Sequence, residues 1–235
     1  MRRVMGGWLH AAAGAVPMQG STARKALLSC GIAAAVLYAA ADLIAGLLFE
    51  GYSFKDQHIS ELGAVGASTR PLLTGLLIVQ AVLMGAFALG VWRSAGRSRA
   101  LRWTSALLLV VVAVSLFVAP FAPMNPRGTE GGGVLHLVYI TFDSVLIMVA
   151  MGLSGVALGG RFRLYAVGSI VLMLGFGAWG GTFAKDIEAG LPTPWAGVIE
   201  RVSVYAYLLW LAVLALVLIW HRPHGAARDI EDGMH

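Results

Sequence analysis

Residues 202–220 read VSVYAYLLWLAVLALVLIW, a stretch without a single charged side chain. A helix of about 20 apolar residues is long enough to cross the ~30 Å hydrocarbon core of a bilayer. Five further stretches of this kind precede it, at about 26–49, 71–92, 104–123, 134–158 and 164–183. All are rich in Leu, Ala, Gly and Val and lack the alternation of membrane-barrel strands. The sequence therefore predicts an all-α polytopic bundle of six transmembrane helices.

The composition of the whole chain agrees with an integral membrane protein. Of its 235 residues, 58% are hydrophobic and only 12% are charged, whereas ordinary soluble domains contain about 25% charged residues. The only cysteine, Cys30, lies in the first span, which excludes a disulfide framework. We expect a transmembrane domain at 26–221. A cytoplasmic extension at 1–25, for which disorder is one expectation, would precede it, and a cytoplasmic polar tail at 222–235 would follow.

Basic residues are distributed unequally between the two ends of the spans. Twelve of the 17 Lys and Arg residues lie in the N-terminal segment, the second and fourth loops, and the tail. Because basic flanking residues are retained on the cytoplasmic side, we expect both termini to be cytoplasmic. The net charge of +5 then reflects this asymmetry, and no nucleic-acid partner is expected.

Acidic residues and histidines collect at the opposite end of the spans. The first loop there is long and carries Asp56, His58, Ser60 and Glu61 close together in sequence. Further polar residues of the same end include Glu200 at the start of the sixth span. A solvated loop would have a similar composition, so an ordinary surface role stays open for each of these residues.

Two carboxylates fall inside predicted spans, where such a group is costly and is normally paired or faces a cavity. Asp42 lies about 12 Å below the outer end of the first span, and Asp143 lies at nearly the same depth in the fourth. His136, Tyr139 and Asp143 share one face of that helix, because their spacing is i, i+3, i+7. We hypothesise an outward-opening cavity with both aspartates in its wall. A structural ion pair, for example with Arg201, is the alternative.

Metal binding and nucleophilic catalysis are weakly supported by the sequence. His58, His136, Asp143 and Glu61 are suitable ligand types, but no HExxH, HxxxH or CxxC spacing connects them. We therefore predict no metal and no cofactor. A hydrolytic site would draw on the same outer residues, with an imidazole as general base. Its candidates are His136, Asp143, His58, Ser60 and Glu61.

Several short motifs resemble the domain-of-unknown-function family 998, a family of prokaryotic six-helix membrane proteins, over roughly residues 26–221. These motifs are His58-Ile-Ser-Glu-Leu-Gly-Ala64, Arg70-Pro71, Pro123-Met-Asn-Pro126, His136-Leu137 and Gly197-Val-Ile-Glu-Arg201. The resemblance implies a prokaryotic plasma membrane as the location, but no reaction. It also implies that the characteristic polar positions are Ser60, Glu61, His136, Glu200 and Arg201.

Three functions remain open at this stage. The first is binding of a lipid, a hydrophobic small molecule or a membrane partner in an outward-facing, polar-rimmed cavity. The second is hydrolysis of a lipid or lipid-linked substrate, with His136 or His58 as base, and the third is proton-coupled transport through Asp42 and Asp143. The expected ligand-binding residues are Asp42, Ser60, Glu61, His136, Tyr139, Asp143, Glu200 and Arg201.

Membrane lipids are the expected partners, and a homo-oligomer is a further expectation. It rests on two small-xxx-small pairs, Gly155 with Gly159 and Gly177 with Gly181. Such pairs allow two helix backbones to approach closely.

Overall fold

The computed structural model describes residues 18–129 and 133–220, with side chains from residue 22 onwards. The expected extension through residue 17 and the tail at 222–235 lie outside these ranges. The helices are α1 (Met18–Leu48), α2 (Arg70–Ser94), α3 (Arg99–Phe117), α4 (Val134–Leu158), α5 (Gly160–Gly181), α6 (Ala184–Glu188) and α7 (Ala196–Trp220). Two short 3-10 helices, Ile59–Gly63 and Ala119–Phe121, lie in the loops.

Six of these helices are long and apolar enough to cross a membrane, and only α6 is too short. The prediction of an all-α fold with six spans is therefore confirmed. Several helices begin earlier than their apolar stretches do, and the first and last do so by the most. The first starts at Met18 rather than near residue 26, and α7 starts at Ala196 rather than near residue 202. The polar residues Glu200 and Arg201 consequently lie inside a regular helix.

The six spanning helices form a closed ring. Each packs against its neighbours in sequence, and α7 closes the ring by packing against α1. Across the ring, α7 also touches α2 and α4. We call the end that carries the α2–α3 and α4–α5 loops the basic end, and the opposite end the polar end. Loop 49–69 and the α3–α4 and α5–α7 connections all belong to the polar end.

The half of the ring near the basic end is filled by large apolar side chains. Phe87, Val91, Trp210 and Leu214 are fully buried in one cluster there. Dense packing of this kind holds membrane helices together by van der Waals contact, because lipid tails supply no hydrophobic driving force. Open space inside the ring is thereby confined to the half near the polar end.

The α4–α5 hairpin depends on glycine. Gly159 and Gly160 link the two helices with φ angles of 63° and 49°, a left-handed conformation that other residues rarely adopt. One turn earlier, a Cβ at Gly155 would lie 3.2 Å from the Cβ of Ala166. The close approach expected at Gly155 is thus made within the chain, between α4 and α5.

Candidate functional site

Loop 49–69 folds down onto the start of α7. The backbone N–H of Ile59 donates to the carboxylate of Glu200, and the hydroxyl of Ser60 donates to its Oε1 at 2.7 Å. One turn earlier, a Cβ at Gly197 would collide with the carbonyl oxygens of Phe54 and Gln57. A glycine at this position therefore lets the loop backbone lie directly against the helix.

Asp42 and Arg201 form a buried, bidentate ion pair beneath this loop. The Arg201 Nη2 lies 2.7 Å from Asp42 Oδ1, and its Nε lies 3.0 Å from Oδ2. Asp42 is only 1% exposed. The hydroxyl of Tyr205 also donates to Asp42 Oδ2, at 2.6 Å. Because a buried charge is tolerated only when it is paired and hydrogen-bonded, this arrangement satisfies both groups and joins α1 to α7.

The remaining donors of Arg201 fasten the loop to the ion pair. Its Nη1 donates to the carbonyl of Phe54 at 2.8 Å, and its Nη2 donates to the hydroxyl of Tyr52 at 2.8 Å. The guanidinium also lies over the Phe54 ring, 4.9 Å from its centroid. Burial raises the pKa of Tyr52, although the neighbouring Arg201 counteracts this effect. Tyr52 therefore stays neutral and hydrogen-bonds as a hydroxyl.

A second ion pair holds the loop to the two other connections of the polar end. Arg127 donates from Nη2 to Glu61 Oε1 at 2.8 Å and from Nε to Oε2 at 3.0 Å. The same guanidinium donates to the Leu191 carbonyl and the Thr193 hydroxyl. One arginine thus links all three connections that meet at this end.

The outer edge of the polar end is held by Asp56. Its Oδ1 accepts from the backbone N–H of Trp195 at 3.0 Å, and its Oδ2 accepts from the hydroxyl of Ser53 at 3.2 Å. The bond from Trp195 is the main cause of the lowered pKa of this exposed carboxyl. Trp195 has a φ of 69°, which is unusual for a bulky residue.

A cavity of about 840 Å³ occupies the polar half of the ring, and all six spanning helices contribute to its lining. Near the polar end its wall carries His58, Arg70, Asn125, His136 and Glu200. Deeper in the ring the polar lining residues include Tyr38, Tyr139, Asp143 and Tyr207. Its innermost residues are apolar, with Met84, Val111, Ile147 and Met173 among them. The cavity therefore combines a polar mouth with largely hydrophobic walls.

Three polar groups of the cavity lining are incompletely satisfied by the protein. The Nδ1 of His136 lies 3.0 Å from the carbonyl oxygen of Ala122, but its Nε2 is buried without a partner. The Oδ1 of Asp143 and the Nε2 of His58 are also buried without a partner among the described residues. Because buried polar atoms are normally paired, this concentration in one cavity marks it as the candidate site.

The residues expected to bind a ligand, together with the catalytic candidate His58, divide into two groups. His58, Ser60, His136, Tyr139, Asp143 and Glu200 line the cavity. Asp42, Glu61 and Arg201 instead form the ion pairs described above, outside the lining of the described part of the chain. The pairing of Asp42 with Arg201 is the structural alternative that the sequence left open. For all of these residues, ligand binding stays a prediction.

Sequence reasoning did not identify several residues of this region. Tyr38 and Tyr207 line the cavity, and Tyr52 and Tyr205 support the ion pair of Asp42. The positions of these tyrosines did not indicate a site, because tyrosine is also common in transmembrane helices as an anchor at the membrane interface. Within residues 18–129 and 133–220, no three His, Cys, Asp or Glu side chains lie close enough together to hold a metal ion.

A comparison with protein families matches most of the chain. The profile of a family described as a protein of unknown function (DUF998) matches residues 32–217, which include part or all of each of the six spanning helices. No curated protein and no solved structure matches the chain.

Proposed function

The chain belongs to the DUF998 family and is a multi-pass membrane protein, and we propose that it binds a lipid or another hydrophobic small molecule in its cavity. The observation that carries the proposal is a cavity of about 840 Å³ among membrane-spanning helices. This volume lies within the usual range of small-molecule sites, roughly 300–1,000 Å³. Apolar walls below a polar mouth suit an amphiphile whose head lies near the polar end.

Access from the bilayer is supported by the wall between α4 and α5. Val145 and Leu174 line the cavity and yet are 47% and 57% exposed. The tight Gly159–Gly160 link joins these two helices at the basic end, away from this part of the wall. A lipid chain can therefore enter sideways, through the part of the wall nearer the polar end.

The contacts of the candidate catalytic groups support binding rather than hydrolysis. The Ser60 hydroxyl donates to Glu200, and His136 Nδ1 bonds to a backbone carbonyl. A nucleophile activated by a neighbouring imidazole would require a different arrangement. Transport is less favoured too, because the large apolar cluster around Trp210 and Phe87 lies between the cavity and the basic end.

We further propose that the polar end faces away from the cytoplasm. Arg93, Arg97, Arg99 and Arg102 all flank the α2–α3 connection at the basic end, as expected for a cytoplasmic loop. Reporter fusions test this orientation. Alkaline phosphatase inserted after Lys185 should be active in intact bacteria, and the same enzyme inserted after Arg97 should be inactive.

Native mass spectrometry of the gently purified protein, followed by lipid extraction, tests the binding proposal. We expect a retained amphiphile on the wild type and weaker retention in Ser144→Phe, because Ser144 lines the cavity and the added ring would take up part of the space for the ligand. Val149→Phe is the matched control, since Val149 lies on the same helix, is 46% exposed, and is not a lining residue.

Three results would contradict the proposal. The wild type could carry no amphiphile, or both phenylalanine variants could retain it equally. Extraction of cleaved lipid products, with intact lipid accumulating in His136→Ala, would instead indicate a hydrolase.

A further inference from the structure

Two of the unpartnered groups in the cavity lining, His136 and an ionised Asp143, are hydrogen-bond acceptors. A carbonyl oxygen can only accept, so the contact with Ala122 places the proton of neutral His136 on Nδ1. Its Nε2, which has no partner, then carries a lone pair. An ionised Asp143 is likewise acceptor-only. A ligand that satisfies both groups must therefore supply N–H or O–H donors.

The carboxylates of the lining favour a positively charged donor. Glu200 accepts from a backbone N–H and from the Ser60 hydroxyl, which are both neutral. Arg201 pairs with Asp42 and Arg127 pairs with Glu61, and neither of these ion pairs supplies a cation to Asp143 or Glu200. Arg70 lies in the cavity wall near the polar end. Electrostatic attraction is strong in a space of low dielectric constant. A cation in this cavity would consequently gain more binding free energy than a neutral alcohol would.

Aromatic side chains line the cavity at the level of the deeper carboxylate. Tyr139, one turn before Asp143 on α4, and Tyr207 both belong to the lining. Tyr38 lines the same space. Tyrosine rings attract cations through their π faces. The site thus combines a carboxylate with rings that favour a cation and apolar walls that favour a hydrocarbon chain.

We propose that the ligand of this cavity is an amphiphile with a protonated amine, and that Asp143 binds the ammonium group while the apolar walls hold the chain. This inference rests on the proposed function and specifies the chemical class of its ligand. His136 lies on the same face of α4 as Asp143 but nearer the polar end, and it supplies a second acceptor near the mouth. An anionic amphiphile would meet the carboxylates of Asp143 and Glu200 below Arg70 at the mouth, so we expect it to bind more weakly than the amine.

Three probes with the same twelve-carbon chain test the headgroup preference. Dodecylamine, dodecanol and dodecanoic acid are titrated into the full chain in nanodiscs of zwitterionic lipid, and binding to empty nanodiscs is subtracted. We expect dodecylamine to bind at least tenfold more tightly than dodecanol, and dodecanoic acid to bind least. Equal or tighter binding of the alcohol or the acid would overturn the inference while leaving the proposed function intact.

Asp143→Asn should remove the preference, so that dodecylamine and dodecanol bind the variant with similar affinity. Asp143→Glu should keep the preference, because it retains the carboxylate. Glu50→Gln is the matched control, since it removes one exposed negative charge at the same end outside the lining. An amine preference that survives in Asp143→Asn would overturn the role of Asp143. If none of the probes binds the wild type, the proposed function itself fails, and the inference with it.

Discussion

Asp42 and Asp143 are two carboxylates at similar predicted depth in the membrane, yet their surroundings are opposite. Asp42 has a bidentate arginine, a tyrosine hydroxyl and almost no exposed surface. Asp143 lines a cavity, and one of its oxygens has no partner. The first region joins α1 to α7 and is fully satisfied by the protein. The second region is incomplete without something in the cavity.

Depth in the membrane therefore shows that burial of a carboxylate is energetically unfavourable. It does not show whether a protein group or a ligand compensates for that burial. Either a protein partner or a ligand can satisfy a carboxylate inside a bilayer. The two cases predict different effects of mutation. Removing a carboxylate that is paired within the protein leaves its partner unpaired and lowers the free energy of unfolding, whereas removing an unpaired carboxylate does not.

The largest effect is expected for Asp42→Ala, which leaves the guanidinium of Arg201 buried without its counter-ion. Breaking a buried ion pair costs about 3–5 kcal/mol. We expect a loss of this size in the free energy of unfolding, measured by chaotrope titration in mild detergent. Asp143→Ala is the matched control. Equal losses for the two variants would remove the distinction between the two aspartates.

A smaller loss is expected when both charges of the pair are replaced. Asp42→Leu combined with Arg201→Met leaves no unpaired charge, and apolar replacements of buried ion pairs are often close to neutral. Tyr52 and Tyr205 each lose one partner, so the recovery is incomplete. We expect the double variant to regain at least half of the stability lost in Asp42→Ala. A double variant as unstable as the single one would show that the pair does more than neutralise charge.

Asp143→Asn should change stability by no more than about 1 kcal/mol, because the replaced oxygen has no hydrogen-bond partner among the described residues. The measurement is the same chaotrope titration, made on delipidated protein so that no bound ligand contributes. A loss of unfolding free energy comparable with that of Asp42→Ala would show that Asp143 stabilises the fold, and it would contradict its proposed role as a ligand-binding group of the cavity.

The smallest effect concerns pH and the exposed Asp56. Its lowered pKa means that the folded state binds fewer protons than the unfolded state, so Asp56 stabilises the fold above its ordinary pKa of about 4. This contribution is lost as the pH falls through the lower, folded-state pKa. The thermal midpoint should therefore fall less between pH 6 and pH 3 in Asp56→Asn than in the wild type. Identical pH dependences would show that the bond to Trp195 contributes nothing measurable.

The apolar stretches of the sequence predicted the six spans, because length and hydrophobicity alone determine which segments can cross a bilayer. The pairing of polar residues was harder to predict. Asp42 and Arg201 were considered as partners, whereas the contact of Glu61 with Arg127 was not. Such pairs depend on the order and rotation of helices in the ring, and uniformly apolar helices carry little information about either. The cavity could be hypothesised from Asp143, but its size arises only from the packing of all six helices.

The closure of the ring by α7 has a consequence for biosynthesis. Asp42 and Arg201 are 159 residues apart, and ribosomes add roughly 5–20 residues per second. A nascent chain therefore carries Asp42 without its counter-ion for about 10–30 s, computed from the same rate. Until α7 is inserted, an incomplete chain exposes an unpaired acidic group of the kind that membrane quality control can recognise. Insertion of α7 thus removes an unpaired charge from α1.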